Sequence, residues 1–278
     1  MQLTPRYDGG SVLRFAAAIG DVSVPLLRQR RRLGALLEGF DDDQWAAPSR
    51  CAGWSTRDVV SHLTTADQFW ALSMRAGLAG KPTRYLGGFD PVATPAQMVA
   101  AASAEGPPAV LAAYQAAVDG LAAVLTDLDD EQWAVLTEAP PGHLPLDAVV
   151  SHALWDGWVH ERDIALPLGL TPAEEPDEVV TALRYVAGLG PAFLASIGDG
   201  RPGTLAVVGT DPDATIVVEL TDVALVRDGE APAEAVRIEG RSVDLVEGLS
   251  LRAPLPHPVA DEDRWLLGGL ATVFDQVV

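Results

Sequence analysis

Asp41-Asp42-Asp43-Gln44-Trp45 returns as Asp129-Asp130-Glu131-Gln132-Trp133, an offset of 88 residues, and Val59-Val60-Ser61-His62 returns as Val149-Val150-Ser151-His152, an offset of 90. A helix-like apolar stretch precedes each acidic-Gln-Trp element and another follows it. Two copies of a helical hairpin predict a pseudo-symmetric four-helix bundle. The first helix is expected over about 22–39. The second starts at Ser55, where Ser55 and Asp58 have capping-box spacing and Trp54 can staple onto Val59, and runs to about Arg75. Thr94 as cap and Pro95 in the first turn open the third, which continues past a break at Gly106-Pro107-Pro108 to about Leu125. The fourth opens near Pro145 and ends before Pro167.

Beyond about residue 172 the texture changes. A helix-like stretch over 177–196 is expected to break at Gly190-Pro191. Short β-rich runs follow at Thr204–Val208, Thr215–Leu220, Val223–Val226 and Ala235–Ile238, then helices at about 242–250 and 261–277. The expected class is mainly α: a helical bundle over 1–170 and a smaller α+β domain over 175–278, joined by a Pro- and Gly-containing segment.

Composition narrows the function. The chain has 278 residues, 48% of them hydrophobic, and a net charge of −20, which repels nucleic acid and anionic membranes alike. The one basic run, Arg28, Arg30, Arg31 and Arg32, reads as a solvated helix face. A single cysteine, Cys51, forbids an intramolecular disulfide and fits a reducing cytoplasm. Neither a signal peptide nor an apolar run of membrane-spanning length is expected. The chain is expected as a monomer or homodimer.

The chemistry concentrates in Trp155-Asp156-Gly157-Trp158-Val159-His160-Glu161-Arg162-Asp163. Asp156 and His160 stand at i and i+4, so they share a helix face. His62 lies on the inward stripe of the second helix. Two histidines and one carboxylate can hold a divalent metal and leave a position open, as a catalytic zinc requires. His152, four residues before Asp156, makes a competing pair. His152 and His160 lie two turns apart, about 12 Å, too far for one ion to bind both easily. Asp163 is placed either to orient the His160 ring or to pair with Arg162 or Arg57 at the surface. Satisfied core hydrogen bonding is the bland alternative for the whole set.

The stretch Pro48-Ser49-Arg50-Cys51-Ala52-Gly53-Trp54-Ser55-Thr56-Arg57-Asp58-Val59-Val60-Ser61-His62-Leu63 resembles the N-terminal signature of the mycothiol-dependent maleylpyruvate isomerase family. Asp156-Gly157-Trp158-Val159-His160-Glu161-Arg162-Asp163-Ile164-Ala165 resembles its second signature, with Asp where the family has Glu. Leu245-Val246-Glu247-Gly248-Leu249-Ser250-Leu251-Arg252 looks like the family's apolar helix ending in arginine. The resemblance implies a DinB-like four-helix bundle with a sterol-carrier-like C-terminal domain. It implies a metal, Zn2+ or another divalent ion, on His62, Asp156 and His160, with His152 outside the ligand set. It also implies mycothiol as cosubstrate. Arg57, Arg162 and Arg252 are the arginines expected near the cleft, Arg57 and Arg252 foremost as cosubstrate-binding groups.

The implied activity is that of a zinc-dependent enzyme. It would activate a low-molecular-weight thiol as thiolate for addition to an electrophilic small molecule, by S-transfer or by thiol-catalysed cis–trans isomerisation as of maleylpyruvate. The alternative from another class is a non-catalytic helical bundle that binds a metal or small molecule.

Overall fold

The computed structural model describes residues 2–101, 105–198 and 201–274. Four long helices, α1 (Ser23–Glu38), α3 (Thr56–Leu78), α5 (Pro107–Val124) and α7 (Leu146–Ala165), pack in a ring. In that ring α1 lies on α5 and α7, and α3 lies on the same two. The repeated element folds twice into the same device. Asp41 caps short α2 (Asp42–Ala46) and Asp129 caps short α6 (Asp130–Trp133), each in a capping box closed by Gln44 or Gln132. Helix α3 starts with the expected Ser55–Asp58 capping box. Helix α4 (Ala93–Ala101) does not use Thr94 as its cap. The Asp90 carboxylate accepts from the backbone N–H groups of Val92 and Ala93 instead, so the helix begins earlier.

The second part is α+β. Strands β1 (Leu13–Phe15), β4 (Gly203–Thr210), β5 (Ala214–Leu220), β6 (Ala224–Asp228) and β7 (Val236–Arg241) form one sheet in the order β1-β6-β5-β4-β7. Pairing is parallel at both edges, β1 with β6 and β4 with β7, and antiparallel between. Strand β1 was not anticipated. It comes from the N-terminal segment, so residues near 13 complete the sheet built by residues beyond 200. A hairpin, β2 (Leu136–Ala139) and β3 (Gly142–Pro145), precedes α7. Helix α9 (Ser242–Leu249) covers β4 and β7. The expected last helix is shorter: a 3-10 turn at Arg264–Leu266 leads into α10 (Gly268–Val273), and 275–278 lie outside the described residues.

Helix α8 (Pro176–Ile197) joins the parts. It touches α7 on one side, β5 and β6 on another, and α9 and α10 besides. One hydrophobic cluster therefore runs from Trp70 and Trp158 through Leu183 and Leu189 to Val207 and Val218. The expected break at Gly190-Pro191 does not occur, because the helix continues to Ile197 with Pro191 inside it. Proline there removes one N–H and crowds the preceding turn. Burial of Leu189, Ala192 and Phe193 outweighs that cost. Contrary to expectation, α8 is long and apolar enough to cross a membrane, yet 78% of its most apolar window is buried inside the fold. It is a core helix.

The arginine run on α1 is only in part a solvated face: Arg31 is exposed, while Arg28, Arg30 and Arg32 reach carboxylates. Arg30 is fully buried and forks onto Asp67 of α3, Nε to Oδ2 and Nη2 to Oδ1, both at 2.9 Å. It also donates to the Ala153 carbonyl and the Gln29 side chain. Arg32 bridges Glu161 of α7 and Glu178 of α8, and Arg28 pairs with Asp177 and Glu178. The helix turns this face inward because carboxylates wait there. Gly157 makes the crossing of α1 and α7 possible, since a Cβ at that position would overlap the Arg30 guanidinium. Gly157→Ala should therefore displace Arg30 and lower the unfolding free energy by about 3 kcal/mol, the scale of a broken buried ion pair. Urea denaturation of the two proteins side by side measures it, and equal midpoints would contradict the packing.

Candidate functional site

Helix α3 carries His62 in its second turn, and α7 brings Asp156 and His160 alongside it. The ligand atoms of these three residues lie within 4.8 Å of one another. Asp156 Oδ1 is 4.0 Å from His62 Nε2 and 3.5 Å from His160 Nε2. The two imidazoles meet edge to face with centroids 4.9 Å apart. Burial pushes the Asp156 carboxyl toward the neutral form, but His160 and His62 outweigh it and hold its pKa well below the usual range. Its other oxygen, Oδ2, is buried without a hydrogen-bond partner.

Asp163 fixes the far side of His160. Its Oδ2 is 3.0 Å from His160 Nδ1, which leaves Nε2 toward Asp156. Arg252 donates to both Asp163 oxygens at 3.0–3.1 Å, and Arg50 donates to Oδ1 at 2.9 Å. Burial alone would raise the Asp163 pKa, but His160 and Arg252 hold it down. Arg50 and Arg162 both reach Glu247 of α9, so the C-terminal part supports this end of α7 directly. Of the expected arginines, Arg252 is thus beside the cluster but committed to Asp163. Arg162 serves Glu247 and lies over the Trp158 ring. Arg57 is partly exposed in the first turn of α3, nearest to Asp58 at 3.6 Å.

No histidine lies near Cys51 in sequence. The fold puts its Sγ 3.6 Å from His160 Nδ1 and 3.2 Å from Asp163 Oδ2. It sits in the turn Cys51–Trp54, where the Trp54 N–H returns to the Cys51 carbonyl and Gly53 takes a positive φ of 80° that suits glycine. Cys51, His160 and Asp163 form a second group with metal-ligand spacing. Asp163 is already occupied by two guanidiniums, and burial together with Asp163 pushes the Cys51 thiol up to about 12. A protonated thiol is neither a metal ligand nor a nucleophile. The His62, Asp156 and His160 group has the free lone pairs.

His152 is not gathered with them. Its ring is enclosed by Trp70, Trp155 and Tyr185, and its Nδ1 lies 2.6 Å from the Tyr185 hydroxyl. Burial lowers its pKa to about 4, so it is neutral at pH 7. Neither Tyr185 on α8 nor Arg50 and Glu247 could be paired with α7 from linear spacing.

Residues 26–165, half of the chain, match the family model described as mycothiol maleylpyruvate isomerase N-terminal domain. The chain belongs to that family. By that membership it is an enzyme of the maleylpyruvate isomerase family. The whole fold is similar to the crystal structure of the mycothiol-dependent maleylpyruvate isomerase, with a TM-score of 0.60 at 14% identity over 85% of this chain and 90% of that one. A crystal structure of a mutant of that isomerase matches with the same figures. No curated protein matches the chain by sequence.

Two outcomes follow from this geometry. Native Cys51 should react with iodoacetamide at pH 8 at least about tenfold more slowly than in the urea-unfolded chain, since its thiolate is suppressed; equal rates would contradict the environment described. His152 has a folded pKa near 4, below the unfolded value of about 6.5, so the unfolded state binds more protons between those values. Stability should rise with pH across that window and fall as pH drops through it. His152→Phe should flatten this dependence relative to the parent in unfolding titrations at pH 4 to 7.

Proposed function

We propose that His62, Asp156 and His160 hold a catalytic divalent metal, most simply zinc, in a DinB-like bundle, and that the enzyme acts through mycothiol. One observation carries the assignment: Asp156 Oδ1 lies between two imidazole Nε2 atoms, at 4.0 Å from His62 and 3.5 Å from His160, while the carboxylate's Oδ2 is buried without a hydrogen-bond partner. A buried acceptor without a donor costs about 1–3 kcal/mol, and a cation between these groups removes that cost. Two neutral imidazoles and one carboxylate are a donor set suited to zinc and leave it a net positive charge. When bound, the metal supplies an open position at which a thiol loses its proton.

The rest of the work falls to the chain. Asp163, held by Arg50 and Arg252, keeps the His160 ring turned so that Nε2 faces Asp156, where it would help hold an ion. Burial and Asp163 push the Cys51 thiol up to about 12, which supports a nucleophilic sulfur that arrives with the cosubstrate. Arg252 and Arg57 are the cations we assign to the cosubstrate's polar groups. A thiolate so generated would add to an electrophilic carbon. If the adduct reverts after bond rotation, the outcome is isomerisation, as of maleylpyruvate; if it persists, the outcome is S-transfer.

Protein reloaded with zinc should bind about one ion per chain by elemental analysis. His160→Ala should abolish that binding and His152→Ala should preserve it; the reverse pattern would reassign the ligands. With mycothiol present, turnover of maleylpyruvate consumes no thiol, whereas haloalkyl acceptors consume one thiol each. Activity without any added thiol, lost in Cys51→Ser, would overturn the mechanism.

A further inference from the structure

For His62, Asp156 and His160 to meet one ion, two helices must hold a fixed spacing. Ligand distances of about 2.0–2.2 Å around a tetrahedral zinc put neighbouring ligand atoms about 3.3–3.6 Å apart. Asp156 Oδ1 stands 3.5 Å from His160 Nε2 and 4.0 Å from His62 Nε2, close to that span. The first separation lies within α7 and follows from helix geometry. The second lies between α3 and α7, so tertiary contacts must set it. Arg30 of α1 joins those two helices. Its guanidinium forks onto Asp67 of α3 with two bonds of 2.9 Å, and its Nη2 also donates to the Ala153 carbonyl of α7 at 2.8 Å. Trp70, later on α3, meets His152, earlier on α7, so the two helices run in opposite directions. Asp67, five residues after His62, and Ala153, three before Asp156, therefore lie on the same side of the three residues, about 4–8 Å along the helix axes. Gln29 accepts from Arg30 Nη1 and donates to the Gly157 carbonyl at 3.1 Å. The two α7 carbonyls gripped from α1 thus flank Asp156. The Tyr114 hydroxyl of α5 donates to the Arg30 carbonyl at 3.0 Å, which ties in the fourth helix of the ring.

We propose that Arg30 is a positioning residue for the metal centre: by tying Asp67 to Ala153 it presets the distance between His62 and Asp156, and so sets how tightly an ion is held. This rests on the metal assignment proposed above. A site that is already at its bound spacing does not spend binding energy on drawing two helices together. Arginine suits the task because one planar group reaches a carboxylate with two parallel bonds and still has donors for a carbonyl on another helix. Asp67 does more than anchor the fork. A lone guanidinium this close would repel a cation, and the buried carboxylate opposite it makes the floor of the site neutral. Gly157 leaves the room that the guanidinium fills.

The test uses the full chain stripped of metal and titrated with zinc against a chromophoric chelator, so that affinity is read without turnover. Arg30→Met combined with Asp67→Leu removes the tie without leaving a lone buried charge, so the urea midpoint of the zinc-free protein should stay near the parent's. Its zinc Kd should rise roughly tenfold or more, still with about one ion per chain. Arg30→Lys keeps a cation opposite Asp67 but loses the fork and the reach to Ala153, so it should fold and bind zinc roughly threefold more weakly or worse. Val217→Ala, a buried site in the sheet, should lower the urea midpoint and leave the zinc Kd at the parent's value, which separates positioning from stability. A parental Kd in the folded double variant would overturn the proposal, as would an equal loss of affinity in Val217→Ala. If the double variant does not fold, a parental Kd in Arg30→Lys overturns it. A parent chain that takes up no zinc would overturn the metal assignment itself, and this proposal with it.

Discussion

A helix that buries its ionisable side chains can be placed only where partners meet every one of them. Helix α7 buries His152, His160, Glu161, Arg162 and Asp163, and holds Asp156 nearly out of water. Unpaired, each would carry a desolvation cost comparable to a large part of a domain's net stability. The partners come from the whole chain: Arg32 from α1, Arg50 from the loop before α3, His62 from α3, Tyr185 from α8, Glu247 from α9, and Arg252 after it. The bundle and the sheet layer are locked in register by this one requirement.

The same requirement grades the site from rigid to open. Beneath it, Arg30 and Asp67 satisfy one another completely, and Gly157 lets them do so. At its C-terminal side, Asp163 is saturated by His160, Arg50 and Arg252. Between these, Asp156 Oδ2 and Trp70 Nε1 are buried without hydrogen-bond partners, as are Trp158 Nε1 and Arg162 Nη1 on α7.

The two parts of the chain are correspondingly interdependent. The hydrophobic cluster passes through α8 without a gap, and β1 from the N-terminal segment closes the sheet edge. Arg252 and Glu247 reach α7 from the C-terminal part. The side chains that support His160 come from both sides of the expected joint near 170–175, as do the strands of the sheet.

Much of this was legible in the sequence. Caps and apolar periods are local, so the repeated Asp-Gln-Trp element, the Ser55–Asp58 box and the four long helices followed from spacing. So did the Asp156–His160 pair, since i and i+4 share a face on any helix. The strands past 200 were readable from β-rich runs between Gly, Asp and Pro turns. Other features depend on tertiary contact alone. Strand β1 has only three residues and no pattern until β6 lies beside it. Pro191 stays helical because packing outweighs propensity. Arg30 looks solvent-facing until Asp67 is opposite it, and Cys51 looks idle until the Cys51–Trp54 turn meets His160. Local sequence determined which surfaces could form. Only the folded chain decided which charges would be paired, because pairing depends on distances between residues that the backbone brings together from far apart.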